Sequence, residues 1–222
     1  MTRVLHISAS PNGGASHSRQ VGCRLVDRLQ RLHAITLVRR DLVADPPPYP
    51  DAAFARASLM PAADRGALEH DTLWLSEILI AELETADAVV IDSPMHNLMA
   101  PACLKAWIDL VVRPNRTFRP SPQGKLGLLA DKPVYLVVAC GGGFDPAAGG
   151  QTDFMTPYLT HVLASIGLRS VHTLRLDSLR RGAAELAEAY ARAAAWAETL
   201  VPDDQAVLRD GLKLSHTADT RK

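Results

Sequence analysis

Residues 87–92 read DAVVID and residues 133–140 read PVYLVVAC. Both segments are rich in β-branched residues, and neither alternates cleanly between apolar and polar. An unbroken apolar run of this length is how a strand covered on both faces looks, because no side of it meets water. Residues 3–8, RVLHIS, predict a similar strand at the N-terminus, and residues 35–38 and 171–176 predict two weaker ones with partial alternation. Between the strands the apolar spacing changes to three and four. Val21, Leu25, Val26, Leu29 and Leu32 form one helical stripe, and Leu73, Leu75, Ile78, Leu79 and Leu83 a second. Pro101 stands at the first turn of a third helix carrying Leu104, Trp107, Ile108 and Val111. Tyr158, Val162 and Ile166 mark a fourth, ending at a C-cap Gly167, and the alanine-rich residues 183–200 a fifth. Strands alternating with helices predict an α/β fold: a doubly wound, five-stranded parallel sheet in the order 2-1-3-4-5.

The chain has 222 residues, 47% of them hydrophobic, with 24 Lys+Arg balancing 24 Asp+Glu. That length and apolar content predict one folded domain, residues 1–201, rather than a disordered chain. Residues 202–222 turn polar and aperiodic and are expected to form a disordered tail. The zero net charge removes the electrostatic case for nucleic acid or an anionic membrane as the main partner. No apolar run reaches the roughly 20 residues that span a bilayer, and the opening MTRVLHISAS is too polar for a signal peptide. Three cysteines, an odd number without metal-ligand spacing, read as reduced thiols of a cytoplasmic protein, and no metal is called for. The stretch DPPPYP at 45–50 interrupts the second crossover, and an excursion of this length reads either as a plain surface excursion or as a lid or dimer arm.

In an open parallel sheet, ligands bind beyond the carboxyl ends of the strands, near the switch in strand order. Three loops end there. The first, SASPNGGASHS at 8–18, holds four hydroxyls and two glycines, and it runs into a helix start capped by Ser16 or Ser18. A helix N-terminus with free N–H groups favours a phosphate. The loop has no lysine and no GxGxxG, which excludes a Walker A site and a dinucleotide fingerprint. A terminal phosphate held by hydroxyls and backbone suits a mononucleotide such as FMN. The second loop, Ser93 to Pro101, is stiffened by two prolines. It offers Met95 and Leu98 as area and Asn97 as a hydrogen-bonding group, a wall for a flat ring with polar edges. The third, Cys140-Gly141-Gly142-Gly143-Phe144, lets backbone N–H groups approach carbonyl oxygens such as those of a flavin's pyrimidine edge.

On these loops the chain resembles the FMN-dependent NADH-azoreductase and NAD(P)H:quinone oxidoreductase family, a branch of the flavodoxin-like flavoproteins. The likeness extends over roughly residues 3–200. It rests on the hydroxyl-rich first loop, on Pro94-Met95-His96-Asn97-Leu98, and on Leu104-Lys105 with Asp109-Leu110. Thr117-Phe118-Arg119, the glycine loop and Thr156-Pro157-Tyr158-Leu159 also match. The resemblance implies that Ser10, Ser16 and Ser18, with the His17 backbone, hold the FMN phosphate. It implies that Pro94, Met95, His96, Asn97 and Leu98 line the isoalloxazine ring. Cys140, Gly141, Gly142, Gly143 and Phe144 would flank its pyrimidine side, and Phe118 would belong to an apolar substrate pocket across a homodimer interface. His96 stands where the family usually has Tyr, Leu98 where it has Phe, Pro120 where it has an aromatic residue, Cys140 where it has Ser, and Gly141 where a larger residue is common.

The activity this implies is two-electron transfer from NADH or NADPH to quinones, with azo compounds as a further acceptor class. Donor and acceptor would share one stacking site in a ping-pong scheme. The flavin carries the chemistry, and no protein nucleophile is required. His96 is the candidate catalytic residue, because histidine changes charge within the physiological pH range and can give a proton to a developing oxyanion; the alternative is that it only fills the space of the family's tyrosine. The alternative is a flavodoxin-like electron carrier without reductase activity. Such carriers generally dock through an acidic face, which the charge balance does not favour. An esterase on a similar sheet would need GxSxG, which is absent.

Overall fold

The computed structural model describes residues 2–122 and 124–200. Five strands make one parallel sheet: β1 (Thr2–Ser8), β2 (Ile35–Asp41), β3 (Ala88–Pro94), β6 (Val134–Ala139) and β7 (Val171–Leu176), in the order β2-β1-β3-β6-β7. A separate hairpin supplies β4 (Phe118–Ser121) and β5 (Gly124–Gly127). Counting only the strands of the sheet, the order is the 2-1-3-4-5 that the sequence predicts. The direction of winding reverses between β1 and β3. The register pairs Ser8 with both Asp41 and Asp92, Pro94 with Ala139, and Ala139 with Leu176, so all five carboxyl ends finish on one edge.

Alternate residues of the central strands build two cores. Leu5, Ile7, Val89, Ile91, Leu136 and Val138 face α3 (Ala67–Thr85), α4 (Ala102–Val111) and α5 (Met155–Ser165), where Leu79, Leu83, Leu104, Trp107 and Leu163 pack. Val4, Val90, Tyr135 and Val137 face α1 (His17–Leu32) and α6 (Ala183–Leu200), meeting Leu25, Val26, Leu29, Ala189, Ala193 and Trp196. Each fully buried aliphatic side chain contributes about 1.5–3 kcal/mol, well above an exposed ion pair, so these two faces hold the helices in place. β3 and β6 are buried almost throughout, whereas the edge strands β2 and β7 alternate. α5 ends as expected: Gly167 adopts φ +113° just past its last turn, and its N–H reaches the Ala164 carbonyl.

Two elements differ from the sequence reading. The excursion after β2 contains a helix, α2 (Ala52–Leu59), capped by Asp51, whose carboxylate accepts from the Phe54 N–H at 2.8 Å. Phe54 and Ala57 bury against α3, and eight residues are too few for a clear apolar period. The connection after α4 folds into the β4–β5 hairpin. Pro120 and Pro122 argue against strands, yet a two-stranded ribbon has free edges where a missing N–H costs little. The 202–222 segment lies outside the described residues. No described helix is long and apolar enough to cross a membrane.

Candidate functional site

A cavity of about 810 Å³ opens at the carboxyl edge of the sheet, over the switch between β1 and β3. All three loops singled out in the sequence reach it. Ser10, Ser16 and His17 come from the first, Pro94 to Leu98 from the second, and Cys140, Gly141 and Gly142 from the third. Asn12, Ala15, Ala139, Gln151, Leu179 and Arg180 complete the lining. The volume lies within the range of small-molecule and cofactor sites. No aspartate or glutamate lines it, and the positive groups facing it are Arg180 and a helix N-terminus.

That N-terminus belongs to α1. Ser16 is its N-cap: the hydroxyl accepts from the Arg19 N–H at 3.2 Å and lies 3.1 Å from the Ser18 hydroxyl. The Gln20 N–H goes to the Ser16 carbonyl. The N–H groups of His17 and Ser18 have no such partner among the described residues, which is the usual state of a first helical turn awaiting an acceptor. Around them the loop is braced. The Gln20 amide N–H donates to the Gly14 carbonyl, which turns the amide oxygen toward the Tyr190 hydroxyl 2.7 Å away. Tyr190 therefore donates to Gln20 and accepts from His17 Nδ1 at 2.9 Å, so the tautomer of His17 follows from the network. Arg19 bonds both the Ser10 carbonyl and the Asp41 carboxylate. That hydrogen bond holds the Asp41 carboxyl below its usual range, and its charge is committed away from the cavity.

Beneath the loop, Asp92 is fully buried. It accepts from the Ser8 hydroxyl and pairs with His6 Nε2, both at 2.6 Å. The three side chains share the α1 face of adjacent strands. α1 passes close above them at Gly22, where a Cβ would come within 2.8 Å of the Asp92 carboxylate. The Ala9 N–H meets the Asp92 carbonyl, so this cluster fixes where the first loop leaves β1.

The second loop turns tightly. His96 and Met99 exchange both backbone hydrogen bonds, with Asn97 and Leu98 at φ +48° and +70° between them. Asn tolerates this left-handed conformation; Leu does so only under constraint. His96, Asn97 and Leu98 are exposed at the cavity mouth. In the third loop the carbonyls of Cys140, Gly141 and Gly142 accept from Leu179, Arg180 and Ser178. In trans peptides this directs the N–H groups of Gly141, Gly142 and Gly143 to the opposite side. Burial pushes the Cys140 thiol up, and the Gln151 amide reaches the sulfurs of Cys140 and Met95.

Some expected residues stand elsewhere. Ser18 is fully buried in the first turn of α1, behind the lining. Gly143 and Phe144 lie just past it, and the Phe144 ring is covered by Arg175. Phe118 sits on the hairpin under Lys125, apart from this cavity. Sequence reasoning missed His6 and Asp92, although polar residues two apart in buried strands were a usable signal. It also missed Tyr190, Gln151 and Arg180, which no local pattern marks.

A doubly wound parallel sheet with a hydroxyl-rich loop and a helix N-terminus at its switch point defines a flavodoxin-like α/β protein. Residues 2–201 match a family model described as flavodoxin-like fold. The chain is 53% identical over 201 residues to FMN-dependent NADH:quinone oxidoreductase 2 of Cupriavidus pinatubonensis, covering 90% of this chain and 98% of that one. It is 33% identical to an FMN-dependent NADH:quinone oxidoreductase of Mesorhizobium japonicum, covering 91% and 97%. Among solved structures, an FMN-dependent NADH-azoreductase of Bacillus anthracis in complex with FMN superposes with a TM-score of 0.77 at 22% identity, covering 90% and 99%. The chain belongs to the flavodoxin-like family that includes these quinone oxidoreductases.

Proposed function

We propose that the protein is an FMN-dependent NADH:quinone oxidoreductase that binds FMN non-covalently in the three-loop cavity. The observation that carries this is the open N-terminus of α1, where the unpartnered His17 N–H is flanked by Ser10 and Ser16 in a cavity lined by no carboxylate. These groups fit a phosphate. The backbone of Gly141 and Gly142 fits the carbonyl oxygens of a flavin's pyrimidine edge, and Pro94, Met95, Asn97 and Leu98 fit the face of its ring. The relatives named above support the same cofactor and donor.

When bound, FMN supplies the redox chemistry. The chain's residues hold its phosphate, orient the ring and leave one face open. NADH and the acceptor use that face in turn, a ping-pong order. Quinones are the acceptors, with azo compounds as a second class. His96, exposed at the mouth, gives a proton to the acceptor oxygen. Exposed apolar residues on the excursion support a homodimer in which Phe118 serves the partner's pocket. The free thiols of Cys23, Cys103 and Cys140 are in keeping with the cytoplasm.

Stopped-flow absorbance of the FMN-loaded protein tests this. NADH should bleach the flavin and benzoquinone should restore it in a separate step. Restoration by one-electron acceptors alone contradicts a two-electron reductase. In His96→Phe, re-oxidation by quinone should slow about tenfold or more with FMN affinity retained. An unchanged rate assigns His96 to the wall of the pocket.

A further inference from the structure

Gly141 and Arg180 occupy one another's space. The Arg180 N–H donates to the Gly141 carbonyl at 3.2 Å, and the arginine stem then lies across the glycine. A Cβ at position 141 would stand 3.0 Å from Arg180 Cδ and 3.2 Å from Cγ, closer than ordinary van der Waals contact. The missing side chain thus admits the arginine to the cavity lining. There Arg180 is the sole lysine or arginine of the lining. Arg180 is an exposed residue, and no ion pair or hydrogen bond joins its guanidinium to a described residue. Asp153 and Asp177, the carboxylates that act on nearby Cys140, are paired with Arg175 and Arg192. An arginine stays charged at any working pH, so this position holds a fixed, unneutralised positive charge beside the N–H row of the glycine loop.

We infer that Arg180, admitted by Gly141, is the counter-charge for reduced FMN and sets its reduction potential. The inference rests on the reading that the cavity holds FMN. A hydride equivalent brings two electrons and one proton, so a neutral ring gains one negative charge, which spreads along the N1–C2 carbonyl edge. With FMN in the cavity, the Gly141 backbone would offer that edge a dipole, whereas Arg180 would add a full charge. The phosphate, at the other end, would be met by the α1 N-terminus. Arg180 therefore favours the reduced over the oxidised cofactor, and charge near the ring is among the means by which a protein tunes a flavin.

The test is the two-electron midpoint potential by anaerobic spectroelectrochemistry, with oxidised FMN affinity measured alongside by fluorescence. In Arg180→Ala, reduced FMN should lose about tenfold in affinity relative to oxidised FMN, a drop of about 30 mV in potential. Oxidised affinity should stay nearly constant, and Arg180→Lys should restore most of the potential. Gly141→Leu, which displaces the arginine, should lower the potential in the native background and add little in Arg180→Ala. Wild-type potential in Arg180→Ala overturns the inference, as does a raised KM for NADH as its sole effect, which would assign the arginine to the dinucleotide's phosphates. Failure of the wild-type protein to bind FMN at all overturns instead the reading beneath it.

Discussion

At Leu98 a branched apolar side chain is held in the left-handed region, next to Asn97 in the same conformation. An L-residue without a compensating side-chain hydrogen bond costs about 1–2 kcal/mol there, and such strain clusters at binding sites. Replacing Leu98 by Gly removes the steric cost and adds an entropic one of similar size. Replacing it by Val adds β-branching to a conformation that already disfavours a Cβ. Thermal unfolding without FMN should therefore leave Leu98→Gly near the wild-type Tm, within about 2–4 °C. Leu98→Val should fall further despite its conservative chemistry. A Val variant as stable as the Gly variant would show that the turn carries no strain. The sequence marks this loop as a ring wall through its prolines and its Met-His-Asn-Leu content. The turn itself is not legible, because Leu98 is forced into shape by the two hydrogen bonds between His96 and Met99.

The elements that the sequence conceals are those whose stability is tertiary. α2 and the β4–β5 hairpin are too short to show a period, and both form because something larger covers them. Gly127 lies so near the backbone of Gly167 that a Cβ there would overlap it, which seats the hairpin on the end of α5. The excursion has a further character. Tyr49, Leu59, Leu68 and Trp74 are between 64% and 74% exposed, an unusual concentration of large apolar side chains between two consecutive strands. As the arm of a homodimer, this surface would be covered. Light scattering of active protein should then give twice the 24.0 kDa chain mass, and Trp74→Glu with Leu68→Glu should give the single mass. A monomeric wild-type enzyme with full activity contradicts the arm.

For the whole molecule, the sheet order was legible because β3 and β6 are apolar on both faces and because helices separate the strands. The switch point follows from that order, and with it the edge where a ligand binds. Less legible was the part of the site that comes from distant chain: Tyr190 of α6 bracing His17, and Arg180 lying over Gly141. Spacing within a loop cannot report a contact made across it. The central claim is that the first loop holds a phosphate and the other two a flavin ring. Equilibrium titration by flavin fluorescence, FMN against riboflavin, tests it most directly, since the two differ only in that phosphate. Hydrogen bonds to a charged acceptor are worth about 1.5–3 kcal/mol each. The account predicts quenching at one FMN per chain and riboflavin binding at least about a hundredfold weaker. Unquenched FMN, or riboflavin bound as tightly, would contradict it.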